Sequence, residues 1–335
     1  MRAAGRALAV LAGVIVLAFV LTQVLPGDRA SVLGAVPGMT PQDIAALRAA
    51  EGLDRSVPGQ FLDYLQGLAR GDLGHSVVTG RPVAADVAAR LPASLELALA
   101  GFLPALGVVL WLGMAAARRP GGAVDRAARG LAALGAALPV FVTGLLFIQV
   151  FYVWAGVVPE PSGRLDPWMA APPRVTGVMV LDAALAGDGA ALVSALGHLA
   201  LPAATMALFA VAPMLRVFRA AMLAALASPG VAGARLAGVP ERVVVRRYAM
   251  PEALGALIPV AAMTFGYMLG ANVLVEKVFA WPGVGRYALD ALMALDHAPV
   301  QGVMLVLALM HAGLSLGADL VARALDPRLA ASAHG

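Results

Sequence analysis

The chain has 335 residues, of which 61% are hydrophobic and 13% charged, with a formal net charge of +4 and a mean hydropathy of +0.84. Soluble domains carry about 25% charged residues, so this composition excludes a soluble globular fold and predicts an all-α polytopic membrane protein, since in lipid each helix satisfies its own backbone. Cysteine is absent, which removes disulfides, thiolate metal sites and a cysteine nucleophile, and no basic cluster interleaved with aromatics points to nucleic acid.

Six spanning helices are predicted in chain order. The first covers residues 7–25, an apolar run behind Arg2 and Arg6 that is longer than the h-region of a cleaved signal and lacks a small-residue cleavage site. The next region, 26–92, is expected to be external and helical. Thr40-Pro41-Gln42-Asp43 reads as a helix start. Phe61, Leu62, Leu65 and Leu68 share one face of a second helix, and Val83, Val87 and Leu91 one face of a third. This region reads as a small cap for a substrate-delivering protein; amphipathic helices lying on the membrane are the alternative. Further spans are predicted at 93–117, 130–155, 196–224, 254–275 and 300–323. Pro104, Pro139, Pro202, Pro213 and Pro259 fall inside these regions and are read as packing kinks.

Arginine placement sets the expected orientation. The loop 118–129 carries four Arg against one Asp, and the loop 216–252 six Arg against two Glu. Arg2, Arg6, Arg323 and Arg328 fall on the same side of a six-span layout, so the positive-inside rule predicts that both termini are cytoplasmic.

Residues 216–252 are the most informative stretch, because an apolar chain has concentrated six Arg there. Within it, SPGVAGARLAGVP (228–240) predicts a short helix between two breakers, Pro229-Gly230 and Gly238-Val239-Pro240. Small residues (Ala232, Gly233, Ala234 and Ala237) permit close approach by a soluble partner, and the flanking Arg supply polar anchoring. The competing reading is an ordinary solvated positive loop.

Catalytic patterns are missing. The single lysine, Lys277, sits in VEKVF, so no P-loop is present and the chain cannot bind ATP by that route. His75, His198, His297, His311 and His334 form no metal-ligand spacing, and no G-x-S-x-G elbow occurs. Glu96 and Asp319 are read as the acids within spans. Both lie near helix ends, where a structural role is expected ahead of a proton relay.

These residues carry a family resemblance over nearly the whole length. EGLDRSVPGQFLDYLQGLARGDLGHSV at 51–77, LPVFVTGLLFI at 138–148, HLALPA at 198–203, VEKVFAWPGVGRYALDAL at 275–292 and D-x-x-P-V-Q-G at 296–302 resemble the inner-membrane permeases of dipeptide, oligopeptide and nickel ABC importers. The resemblance implies a single type I-like permease domain over 1–335 in the bacterial cytoplasmic (inner) membrane, with residues 216–252 as a cytoplasmic docking loop. Its coupling-helix residues would be Gly233, Ala234, Arg235, Gly238, Val239 and Pro240. Ala234, Arg235, Gly238 and Val239 match the family's segment, whereas Gly233 and Ala237 replace its usual Thr or Glu and Lys. The implied partners are a second homologous permease, two P-loop ATPase subunits that bind ATP and Mg, and an external substrate-binding protein. The chain itself would hold no cofactor and catalyse nothing. An ion-coupled secondary transporter is the rival reading; it needs inverted repeats and an intramembrane charge path, and neither is visible in the sequence.

Overall fold

The computed structural model of the protein describes residues 2–24, 40, 42, 45 and 55–325. Among these residues there is no strand, only an isolated bridge between His75 and Pro82. The helix start expected at 40–43 falls largely outside them, as does the terminal Asp326-Pro327-Arg328.

Helix α1 (Arg2–Val24) meets α2 (Val57–Ala69) near its end, where Phe19 packs on Phe61 and Tyr64 with centroids 5.0 and 5.9 Å apart. Helix α3 (Val83–Arg118) starts ten residues before the predicted span, because the amphipathic segment 83–92 continues into it through Pro92 without a break. The face expected to unite Val83, Val87 and Leu91 does so, packing against Val284, Tyr287 and Val303.

The third predicted span is where the structure departs from the sequence reading. Residues 123–154 form α4 (Ala123–Ala137) and α5 (Val140–Phe147, continuing as a π-helix to Trp154), and the two meet at 105°. Pro139 supplies the break: it disfavours helical backbone at the preceding residue, and Leu138 is extended with ψ 136°. The other four prolines are absorbed within their helices, as expected.

After α6 (Met179–Leu185) comes α7 (Gly189–Leu226), the central helix, which packs along α3, α4 and α10. Small residues make this approach possible. A Cβ on Gly101 would lie 2.6 Å from Met206, one on Gly113 2.6 Å from the Phe218 ring, and one on Gly135 2.5 Å from the Leu208 carbonyl oxygen. Then follow α8 (Pro229–Leu236), α9 (Glu241–Val244) and a π-helical stretch Val245–Ala249 that runs into α10 (Met250–Val278). Helices α11 (Val284–Met293) and α12 (His297–Leu325) complete the chain. Among the described residues, four helices are long and apolar enough to cross a membrane, or up to five if the bent pair counts as one span. Each of the six predicted segments therefore has a helical counterpart, α1 being the sixth with a shorter apolar core at Ala9–Leu21.

The bundle has two distinct ends. At one, the start of α3 lies against α11 and α12, and Gln301 near the start of α12 donates to the Ala18 carbonyl near the end of α1 (3.1 Å). The Arg2 and Leu325 ends therefore point toward the other end, which carries α8.

Candidate functional site

Helix α8 forms from local chemistry. Ser228 caps it by accepting from the Val231 amide (3.4 Å), and Pro229 occupies the first turn, where its missing N–H has no partner to lose. Pro229 thus begins the helix rather than breaking it. The helix stops at Gly238, whose φ of +75° suits a residue without a side chain. Val239 then donates to the Ala234 carbonyl (3.1 Å), and Pro240 opens α9.

The helix has an anchored face and a bare one. Val231 and Ala234 are buried and belong to the same core as Val244, Val245 and Ala249. Gly230, Ala232, Gly233, Gly238 and Pro240 are exposed, and Leu236 is 90% exposed. Arg235 forks onto Glu241, with Nε and Nη2 at 3.0 and 2.7 Å from its two carboxylate oxygens, and also donates to the Leu226 carbonyl (3.3 Å). Arg235, one of the coupling-helix residues the resemblance implied, therefore straps α8 to the end of α7 and the start of α9. A cavity of about 460 Å³ lies beside it, lined in part by Arg118, Leu223, Leu226 and Glu241. The segment 216–252 is less loop than expected, since α7 runs to Leu226 and carries Arg216 and Arg219 itself. Arg219 and Arg129 both pair with Asp125 on α4, which also accepts from the Gly121 amide (2.9 Å).

At the opposite end, the segment 275–287 is built around a buried carboxylate. Glu276 is fully buried; Ser94 Oγ on α3 donates to its Oε1 (2.5 Å) and the Arg286 amide to its Oε2 (2.8 Å). Ser94 Oγ accepts from the Val284 amide (2.8 Å), and Trp281 Nε1 donates to the Ala93 carbonyl (2.8 Å). Gly285 is required here, because a Cβ would stand 2.6 Å from Val273 Cα. These bonds knit α3, α10 and α11 into one unit.

Two further carboxylates fix the segment before α7. Glu96 pairs with Arg164 (2.5 Å) and accepts from the Val180 amide (2.9 Å), contacts that fit the structural role expected of it. Asp182 accepts from the Thr176 amide and hydroxyl (2.7 Å each) and the Gly177 amide (2.9 Å). Burial alone would raise the Asp182 carboxyl, but these hydrogen bonds outweigh it and hold it below the usual range. His198 donates through Nδ1 to the Ser194 carbonyl (2.9 Å), and the His311 ring lies against Gly266. Among the described residues no group of three metal ligands occurs.

Sequence reasoning named Glu96 and Asp319 as the acids within spans. Buried Asp86, Asp125 and Glu276 also lie on these helices, while the Asp319 side chain falls outside the described ones. Asp86 sits on the helix expected in the external region, outside the predicted span, and Asp125 on helical turns that had been assigned to a loop. Glu276 interrupts the run VLVEKVF one residue past the predicted span, and an acid followed by Pro-Gly-x-Gly was the signal available.

The family described as the inner membrane component of binding-protein-dependent transport systems matches residues 109–331, and its N-terminal counterpart matches residues 1–98. The chain is 38% identical to a probable D,D-dipeptide transport system permease protein of Escherichia coli (strain K12), covering 96% of this chain and 94% of that protein. It is 31% identical to the dipeptide transport system permease of the same strain, covering 95% and 94%. It is 33% identical to a di/tripeptide transport system permease of Pseudomonas aeruginosa (strain UCBPP-PA14), again covering 95% and 94%. The chain belongs to this family and is an ABC importer permease of its dipeptide and oligopeptide branch, a multi-pass inner-membrane protein.

Proposed function

We propose that the chain is one half of the membrane pathway of an ATP-driven importer of short peptides. A second homologous permease completes the pathway, two P-loop ATPases bind ATP and Mg and supply the free energy, and an external binding protein delivers the cargo. Both termini and α8 face the cytoplasm, and the Glu276 end faces outward. The relatives are peptide permeases, which favours peptides over the nickel that the sequence left open.

The observation that carries this reading is α8: a helix capped at both ends, strapped by Arg235 to the end of α7 and the start of α9, and bare on its outer face at Gly233 and Leu236. A soluble partner that grips this face can move α7 and α10 together, because α8 joins them through short turns. Gly233, Ala234, Gly238, Val239 and Pro240 act by shaping the helix and its exit, and Arg235 by holding it. Deleting 230–239, or replacing Leu236 with Asp, is expected to abolish peptide uptake while membrane insertion stays intact. Normal uptake by both variants would refute the docking assignment. Uptake that survives ATP depletion but is lost to an uncoupler would favour the ion-coupled secondary transporter.

A further inference from the structure

A cavity of about 290 Å³ opens at the Glu276 end, between the segment 76–79, the start of α3, the turn at Pro282-Gly283 and α11. Two guanidiniums line it, Arg90 and Arg286, against a single lining carboxylate, Asp290, which Lys277 already pairs at 2.7 Å.

Both guanidiniums are held in place and retain unused donors. Arg90 lies flat over the Tyr287 ring at 4.5 Å and pairs with Asp86 through Nη1 (3.1 Å). Asp86 is buried and accepts from Thr79 Oγ1 (2.6 Å) and the Tyr287 hydroxyl (3.1 Å), so the stack is fixed from below. Burial, reinforced by Asp86, pushes the Tyr287 hydroxyl up to about 12, and it stays a donor at physiological pH. Arg286 donates Nη1 to the Ala280 carbonyl (2.7 Å) and turns Nε toward Asp290 (3.5 Å). Among the described residues, Nε and Nη2 of Arg90 and Nη2 of Arg286 have no acceptor. Planar guanidinium forks with free N–H groups match a carboxylate. The volume admits a terminal residue and its carboxylate, not a long peptide.

We propose that this cavity binds the C-terminal carboxylate of a short peptide at the outer mouth of the permease, with Arg90 and Arg286 as its donors. This site rests on the importer reading given above.

The test uses the complete permease–ATPase complex in lipid nanodiscs without the binding protein. Binding of alanyl-alanine and of its C-terminal amide is followed by saturation-transfer NMR. The wild type is expected to bind the free acid at least about tenfold more tightly than the amide, the value of a charge-assisted pair. Arg90→Gln and Arg286→Gln are expected to erase that preference, and Arg90→Lys to restore part of it. A wild type that does not bind alanyl-alanine, or Gln variants that keep the preference, would overturn the site. Gln variants that instead lose association with the binding protein, whichever peptide it carries, would also overturn it, because the carboxylate then comes from that protein. ATP-driven uptake by the wild type in proteoliposomes reads the importer assignment separately, so either idea can fail alone.

Discussion

Glu276 and its partners show how single residues hold one end of the bundle together. Ser94 Oγ both donates to the buried carboxylate and accepts from the Val284 amide, so Ser94→Ala strands two buried groups at once. A loss of about 1–3 kcal/mol is expected for each buried group left unpaired, seen as a lower unfolding temperature of the purified complex; an unchanged temperature would count against this knot. Asp182 offers a second test, in pH. Its folded carboxyl lies below the ordinary value, so its contribution is complete above about pH 4 and disappears as pH falls through the depressed value. Asp182→Asn is therefore expected to lower stability at pH 7, and the gap from the wild type should close in strong acid. A gap that stays constant down to pH 3 would contradict the assignment.

At the scale of elements, the bend between α4 and α5 is the feature with most mechanical consequence. Helix α4 is pinned to α7 by the close approach of Gly135 to Leu208 and by the Asp125–Arg219 pair. Arg219 is only partly buried, so removing its partner costs less than the about 3–5 kcal/mol of a fully buried pair. Asp125→Asn should therefore release α4 from α7, read as faster proteolysis near 118–139 with the insertion of the other spans unchanged. The spans themselves were legible because hydropathy is a local property. Helix α8 was legible too, since Ser228, Pro229 and Gly238 act on their immediate neighbours. The bend was not. Residues 130–155 are apolar on both sides of Pro139, and whether a proline kinks or breaks a helix depends on what the flanking segments pack against. Glu276 was missed for a related reason: its hydroxyl partner, Ser94, is 182 residues away. Arg235 was singled out, but not its grip on Glu241.

The whole molecule links two ends through α3, α7 and α10. One end carries the bare face of α8, and the other the Glu276 knot and the Arg90–Arg286 cavity. The long helices between them are packed through glycines at Gly101 and Gly113, a close contact through which the proposed docking at α8 would act on α7 and α3. Gly101→Leu is expected to spread α3 from α7 and to cut uptake without removing ATPase association, which co-purification and transport assays on one preparation would read. The account stands or falls on what α8 engages. The direct measurement is affinity purification of the tagged chain from native membranes in mild detergent, with co-purifying proteins identified, beside the Leu236→Asp variant. Recovery of a second permease and P-loop ATPases with the wild type, and loss of the ATPases with the variant, is the expected result. Recovery of the chain alone, under conditions that keep known importer complexes intact, would contradict it.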